Sequence, residues 1–124
     1  MRWRDLLQAR AIPPEIRAAA TKDPSQHDPA RFLPPAVPDD TPSRRAALQL
    51  LEPEGGTVLD VGCGAGAAGL ALVPRVSHLT GVDHAEDMLR AFEQACTKRG
   101  VAHRSVHGAW PDVAPEAGTA DVVV

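Results

Sequence analysis

The sequence predicts an α/β fold, a doubly wound parallel sheet of about four strands behind a helical, proline-rich amino-terminal extension, and three observations carry that expectation. Short apolar runs rich in β-branched residues recur at 57–61, 76–83, 101–107 and from 120 onward. Helical patterns separate most of them. A glycine-rich stretch follows the first run directly. Strands alternating with helices at this spacing imply right-handed βαβ crossovers, hence a parallel sheet with helices on both faces. With 124 residues, 44% hydrophobic and 23% charged, the chain suits one core.

Nine of the twelve prolines lie between Pro13 and Pro53, so the two ends of the chain differ in kind. Residues 1–40 form the extension: short helical pieces at 4–9 and 15–21, then a proline-broken extended arm over 23–40. Such a segment builds no core of its own. It is either a cover over a substrate pocket or a surface wrap. Thr41-Pro42 supplies a helix cap followed by proline at the first helical position, which predicts a helix over 42–51.

Pro53-Glu54-Gly55-Gly56 ends that helix, and Thr57-Val58-Leu59-Asp60-Val61 reads as a buried parallel strand. Residues 65–73 read as a small-residue helix stopped by Pro74, and 76–83 as the second strand. Over 86–99, Leu89, Phe92 and Cys96 share one helical face, with Glu86 and Asp87 in the first turn. A third strand over 101–107, a loop over 108–118 and a fourth strand from 120 complete the pattern.

The chemistry concentrates in Val58-Leu59-Asp60-Val61-Gly62-Cys63-Gly64-Ala65-Gly66, a strand running into a glycine turn that opens a helix. Glycines there let the backbone approach a ligand and adopt positive φ. The helix start offers amide donors suited to a carboxylate or a phosphate. Asp83 ends the second strand about 20 residues further on, where a carboxylate can accept both hydroxyls of a ribose. Together the two features point to a nucleoside ligand at the carboxyl edge of the sheet.

Residues 58–66 resemble the first motif of class I S-adenosylmethionine-dependent methyltransferases. Gly81-Val82-Asp83 with Asp87-Met88-Leu89 resembles their second. The likeness covers 41–124 and implies that this segment is the first half of a Rossmann-like domain binding S-adenosyl-L-methionine, with methyl transfer as the activity. It further implies that Gly62, Cys63, Gly64 and Gly66 line the methionine portion, and that Asp60 orients the loop or the ligand's ammonium. Asp83 would hold the ribose, with His84 beside the adenine. Residues 106–111 match the adenine-side region, bringing in Ala109 and Trp110. Many relatives carry an acid where Ala109 stands, so Trp110 by stacking or Asp112 by hydrogen bonding would substitute. Ala85 likewise replaces the usual helix cap. No catalytic base is identifiable; it would be expected after the fourth strand.

Other readings remain. Gly64-Ala65-Gly66-Ala67-Ala68-Gly69 satisfies the dinucleotide fingerprint, so an NAD(P)-binding oxidoreductase is one, although Asp60 would then stand beside a pyrophosphate. A non-catalytic nucleoside-binding protein is another. Cys63 reads as a small residue that fits the loop, and His103 and His107 as polar strand positions rather than metal ligands, so no metal is expected.

A net charge of −3 and a pI near 5.9 give no basic field for nucleic acid or anionic membrane, so the expected acceptor is a small molecule. No apolar run approaches the roughly 20 residues that span a bilayer, and a cytoplasmic setting is expected. The apolar residues 122–124 would leave an open sheet edge, predicting a longer natural chain or a covering partner, and an isolated fragment that turns nothing over.

Overall fold

The structure, a computed structural model, describes Glu15 and residues 28–124. Glu15 is helical; the rest of the two short helices expected at 4–9 and 15–21, and of the arm expected before residue 28, lies outside the described residues. From 28 the arm is not wholly extended. Asp28 caps a 3-10 turn at Pro29–Phe32, its Oδ1 accepting the Ala30 N–H at 3.0 Å, before the chain runs irregularly to the first long helix.

That helix, α1 (Pro42–Leu50), starts where the Thr41-Pro42 pair places it. Thr41 Oγ1 accepts the Arg44 N–H at 3.2 Å. Strand β1 (Gly56–Val61) leads through the glycine turn into α2 (Ala67–Leu70), far shorter than the helix expected over 65–73. Gly66 lies at φ 97, outside helical space, so the helix cannot begin at Ala65; residues 71–74 continue only as turns. Strand β2 (Val76–Asp83) and helix α3 (Glu86–Lys98) follow closely the sequence expectation, with Leu89, Phe92 and Cys96 all buried.

Strand β3 (His103–His107) starts two residues late. Val101 N–H bonds Cys96 O at 3.0 Å, so Val101 closes α3 instead of extending a strand. Within the expected loop a helical turn, α4 (Ala114–Ala117), forms around Pro115, whose fixed φ suits a first turn. Arg104 Nη2 donates to Glu116 O at 2.9 Å and Ala117 O at 2.7 Å, satisfying carbonyls at its end. Strand β4 (Val122–Val123) is the last element.

All strand pairs are parallel, in the order β3-β2-β1-β4. The chain moves outward from β1 to β2 to β3 and then crosses back to lay β4 against the other side of β1. The direction of winding reverses between β1 and β4, and such a switch point is where open parallel sheets bind ligands. The reversal also divides the core. Val58, Leu79 and Val122 face one way against Leu51 of the α1 end, Leu70, Leu89 and Phe92. Leu59, Val82 and Val106 face the other way against Ala117 and Val113.

Asp121 fixes the register of the short β4. Its carboxylate accepts the Thr57 N–H at 2.9 Å and the Thr57 hydroxyl at 3.2 Å, while its own N–H donates to Thr57 O at 3.1 Å. Among the described residues no helix is long and apolar enough to cross a membrane.

Candidate functional site

The glycine turn leaves β1 by curling under β2. The amides of Gly62 and Cys63 both donate to Val82 O, at 2.8 and 2.9 Å, and the Gly64 amide donates to Asp83 Oδ2 at 2.9 Å. Gly62, Gly64 and Gly66 sit at φ 70, 52 and 97, a left-handed succession that side-chain-bearing residues resist. The expected free donors at the helix start are thus partly taken by the protein itself. The Gly69 N–H is also committed, donating to Asp60 Oδ2 at 3.0 Å.

The three loop glycines do different jobs. A Cβ on Gly62 would meet nothing within 4 Å, and one on Gly64 would meet only Met88 Sδ at 4.0 Å. A Cβ on Gly66 would press on Phe92 at 3.0 Å and Leu70 at 3.2 Å. Gly62 and Gly64 therefore border open space that a ligand can enter, whereas Gly66 is glycine because the core beneath it is full.

Asp83 is the hub of the site. Oδ2 holds the Gly64 amide, Oδ1 accepts the Ala85 N–H at 2.9 Å, and its backbone carbonyl receives the Gly108 N–H at 3.0 Å. One residue thereby ties together the loops after β1, β2 and β3. The start of α3 has no side-chain cap, as Ala85 leads one to expect; the Asp83 bond to the Ala85 N–H fixes the turn just before the helix instead. A carboxylate has about four acceptor positions, so two amide bonds leave capacity for hydroxyl donors.

Asp60 lies below the loop, 3% exposed. Burial pushes its carboxyl up to about 6, opposed by the Gly69 N–H and reinforced by the charge of Asp83. Through the Gly69 bond the carboxylate anchors α2 on the sheet. Cys63 is buried, its Sγ donating to Gly64 O at 3.4 Å, and burial with the two aspartates drives its thiol pKa upward. A thiol so placed is a packing group rather than a nucleophile.

His84 projects outward, its side chain 81% exposed and its Nδ1 3.6 Å from Asp83 Oδ1. His84 O meets His107 Nε2 at 3.0 Å, and His103 Nδ1 meets Val101 O at 2.8 Å, so the two strand histidines serve backbone carbonyls. No cluster of three or more potential metal ligands occurs among the described residues. Ala109 and Trp110 are exposed on the loop after β3, Trp110 by 38%. Asp112 is engaged in an interaction of its own.

Two contributors escaped the sequence reading. Met88, only 6% exposed, forms the floor beneath Gly64. The Ala85 amide completes the clasp on Asp83. Met88 stands in the second motif, which was its only signal; the amide left none.

An open parallel sheet with a glycine cradle at its switch point and a clasped acid after the second strand defines a nucleoside-binding protein of the doubly wound class. The chain matches the family described as "Methyltransferase domain" over residues 58–124, more than half of its length. It belongs to that family, whose class I members use S-adenosylmethionine. Among curated protein sequences, none matches significantly.

Solved structures that resemble it include the C-terminal domain of precorrin-6Y C5,15-methyltransferase from Rhodobacter capsulatus. That likeness has a TM-score of 0.56 and 18% identity, covering 77% of this chain and 54% of the other. A precorrin-8W decarboxylase from Methanobacterium thermoautotrophicum aligns with a TM-score of 0.54 and 25% identity, over 73% of this chain and 52% of that one. A hypothetical protein of Thermus thermophilus aligns with a TM-score of 0.52 and 27% identity, over 68% and 52%. The chain spans about half the length of these structures.

Proposed function

We propose that this chain supplies the S-adenosylmethionine-binding half of a methyltransferase acting on a small molecule. The observation that carries the reading is the open cradle over Gly62 and Gly64, set one strand away from the clasped carboxylate of Asp83. The cradle fits an amino-acid tail and the carboxylate fits a ribose, so Gly62, Cys63 and Gly64 would border the tail and Asp83 the sugar. His84, Ala109 and Trp110, exposed on neighbouring loops, would line the adenine. Asp60 would act through the loop by holding α2 in place.

When bound, the cofactor supplies an electrophilic methyl group on a sulfonium. The protein's share is positioning: the cradle fixes the tail and Asp83 fixes the sugar. A dinucleotide is disfavoured, because a pyrophosphate on this loop would face both Asp60 and Asp83. Two buried free thiols suit a reducing compartment, which supports a cytoplasmic setting. The unpaired side of β4, where Val123 is 59% exposed, supports a covering strand or partner there.

Calorimetry with S-adenosylhomocysteine and NAD tests the reading. Heat from the first and none from the second is expected; the reverse order of affinity would sink it. The glycines refine the test. Gly62→Ala is expected to weaken S-adenosylhomocysteine at least tenfold with little packing loss. Gly66→Ala is expected to lower stability by roughly 2–4 kcal/mol through strain and overpacking, read by denaturant unfolding.

A further inference from the structure

Helix α2 carries the glycine cradle at its start and is four residues long, too short to keep its place by its own hydrogen bonds. Its far end leaves a carbonyl to be satisfied. Pro74 has no N–H to give to Ala71 O, and the Arg75 N–H goes to Leu72 O at 3.0 Å, so the turn after α2 offers that carbonyl no main-chain donor. Arg44 on α1, 27 residues earlier, supplies the donor instead, its Nε bonding Ala71 O at 2.9 Å.

Arg44 is itself held at both ends. Its own N–H is bonded by the Thr41 cap at 3.2 Å. Its half-buried side chain lines an apolar hollow of about 300 Å3 that the proline arm (Pro34, Pro38) closes against α1 (Ala47) and α2 (Ala68). A charge-assisted bond partly shielded from water in this way is stronger than its counterpart on an open surface. From Ala71 the connection to the cradle is continuous. The Ala71 N–H bonds Ala67 O at 3.2 Å, the Leu70 N–H bonds Gly66 O at 2.9 Å, and the Gly66 N–H bonds Cys63 O at 2.9 Å. Asp60 grips the same helix through the Gly69 N–H. The short helix is thus clamped from two elements, by Asp60 of β1 and Arg44 of α1, and α1 lies ahead of the 58–124 segment that matches the methyltransferase family.

We propose that Arg44 is a positioning residue for the amino-acid tail of the cofactor: by holding Ala71 it sets α2, and through α2 the open backbone over Gly62 and Gly64. The proposal rests on the S-adenosylmethionine reading above and adds to it a determinant outside the glycine loop. The tail depends on this grip because it meets backbone, which cannot re-aim itself as a side chain can. The sugar depends on it less, since Asp83 keeps its place through β2 and the Ala85 N–H.

The test titrates the full 124-residue chain with S-adenosylhomocysteine by calorimetry, and with 5′-methylthioadenosine, which has base and sugar without the amino-acid tail, by ligand-observed NMR. Arg44→Met, which keeps the apolar stem and removes the donor, is expected to weaken S-adenosylhomocysteine about tenfold and 5′-methylthioadenosine less than about twofold. Arg44→Lys should recover part of the loss. Arg45→Gln, whose guanidinium bonds exposed Asp40, should change neither affinity. In the ligand-free Arg44→Met chain the Gly69 and Leu70 amides should exchange faster with solvent, while the Leu79 amide in β2 keeps its wild-type rate. Equal weakening of the two ligands, no weakening of either, or unaltered exchange at Gly69 and Leu70 would overturn the proposal and leave the cofactor reading standing. A wild-type chain that binds S-adenosylhomocysteine no tighter than 5′-methylthioadenosine, or not at all, would instead refute the cofactor reading and the proposal with it.

Discussion

Asp60 sets the residue-scale energetics. Its carboxyl, pushed up to about 6 from the ordinary 3.8, keeps a proton in the folded chain between pH 4 and 6 that the unfolded chain has already released. The folded state therefore binds more protons across that window, and stability contributed by this group falls as pH rises through it. Fully charged, above about pH 6, the buried carboxylate costs roughly 3 kcal/mol relative to its exposed state. Asp60→Asn is expected to flatten that part of the profile. Thermal unfolding of the two proteins from pH 4 to 7 should show the wild type losing ground to the variant as pH rises; parallel curves would exclude the effect. Asp83 stands out in the sequence as a candidate ligand-binding acid because of its place after a strand and a glycine run. Its structural task, clasping the amides of Gly64 and Ala85, does not, because backbone partners carry no side-chain signature.

Among the elements, β4 depends most on a single side chain. Strand β4 is two residues long, and its bonds to β1 run through the backbones of Asp121 and Val124, so the Asp121 side-chain clamp on Thr57 adds much of the fixed geometry of that edge. Asp121→Ala leaves the Thr57 amide without its side-chain acceptor and is expected to cost about 1–3 kcal/mol, measured as a lowered denaturation midpoint. A hydrogen-exchange comparison should place the loss at residues 57–61 and 121–124 before the β2–β3 pair. Helices α1 and α3 were readable to within a residue or two because caps and apolar spacing are local signals. The lengths of α2 and α4 were not. Gly66 ends helical geometry on the early side of α2, and Arg104, ten residues before α4 in sequence, closes it in space.

At the scale of the whole molecule, Phe92 joins the core to the site. It is fully buried, meets His103 edge-on with ring centroids 6.1 Å apart, and lies against the positions where Gly66 and Gly81 lack side chains. Phe92→Ala is expected to cost about 3–5 kcal/mol, a large share of the 5–15 kcal/mol typical of a domain. Because the same ring supports Gly66 from below, affinity for S-adenosylhomocysteine should fall along with stability. Phe92→Leu should restore part of both. Affinity left at the wild-type level in a folded Phe92→Ala protein would show that the loop stands without the core.

By itself the sequence determined the class of fold, the strand and long-helix order and the two motifs at the carboxyl edge, since periodicity, caps and glycine spacing act between near neighbours. Tertiary structure alone decided which loop glycine faces open space and which faces the core, how Asp83 gathers three loops, and that the proline arm closes an apolar cavity around Arg44. Those outcomes depend on atoms brought together from dozens of residues apart, where shape and burial exist only once the chain has folded.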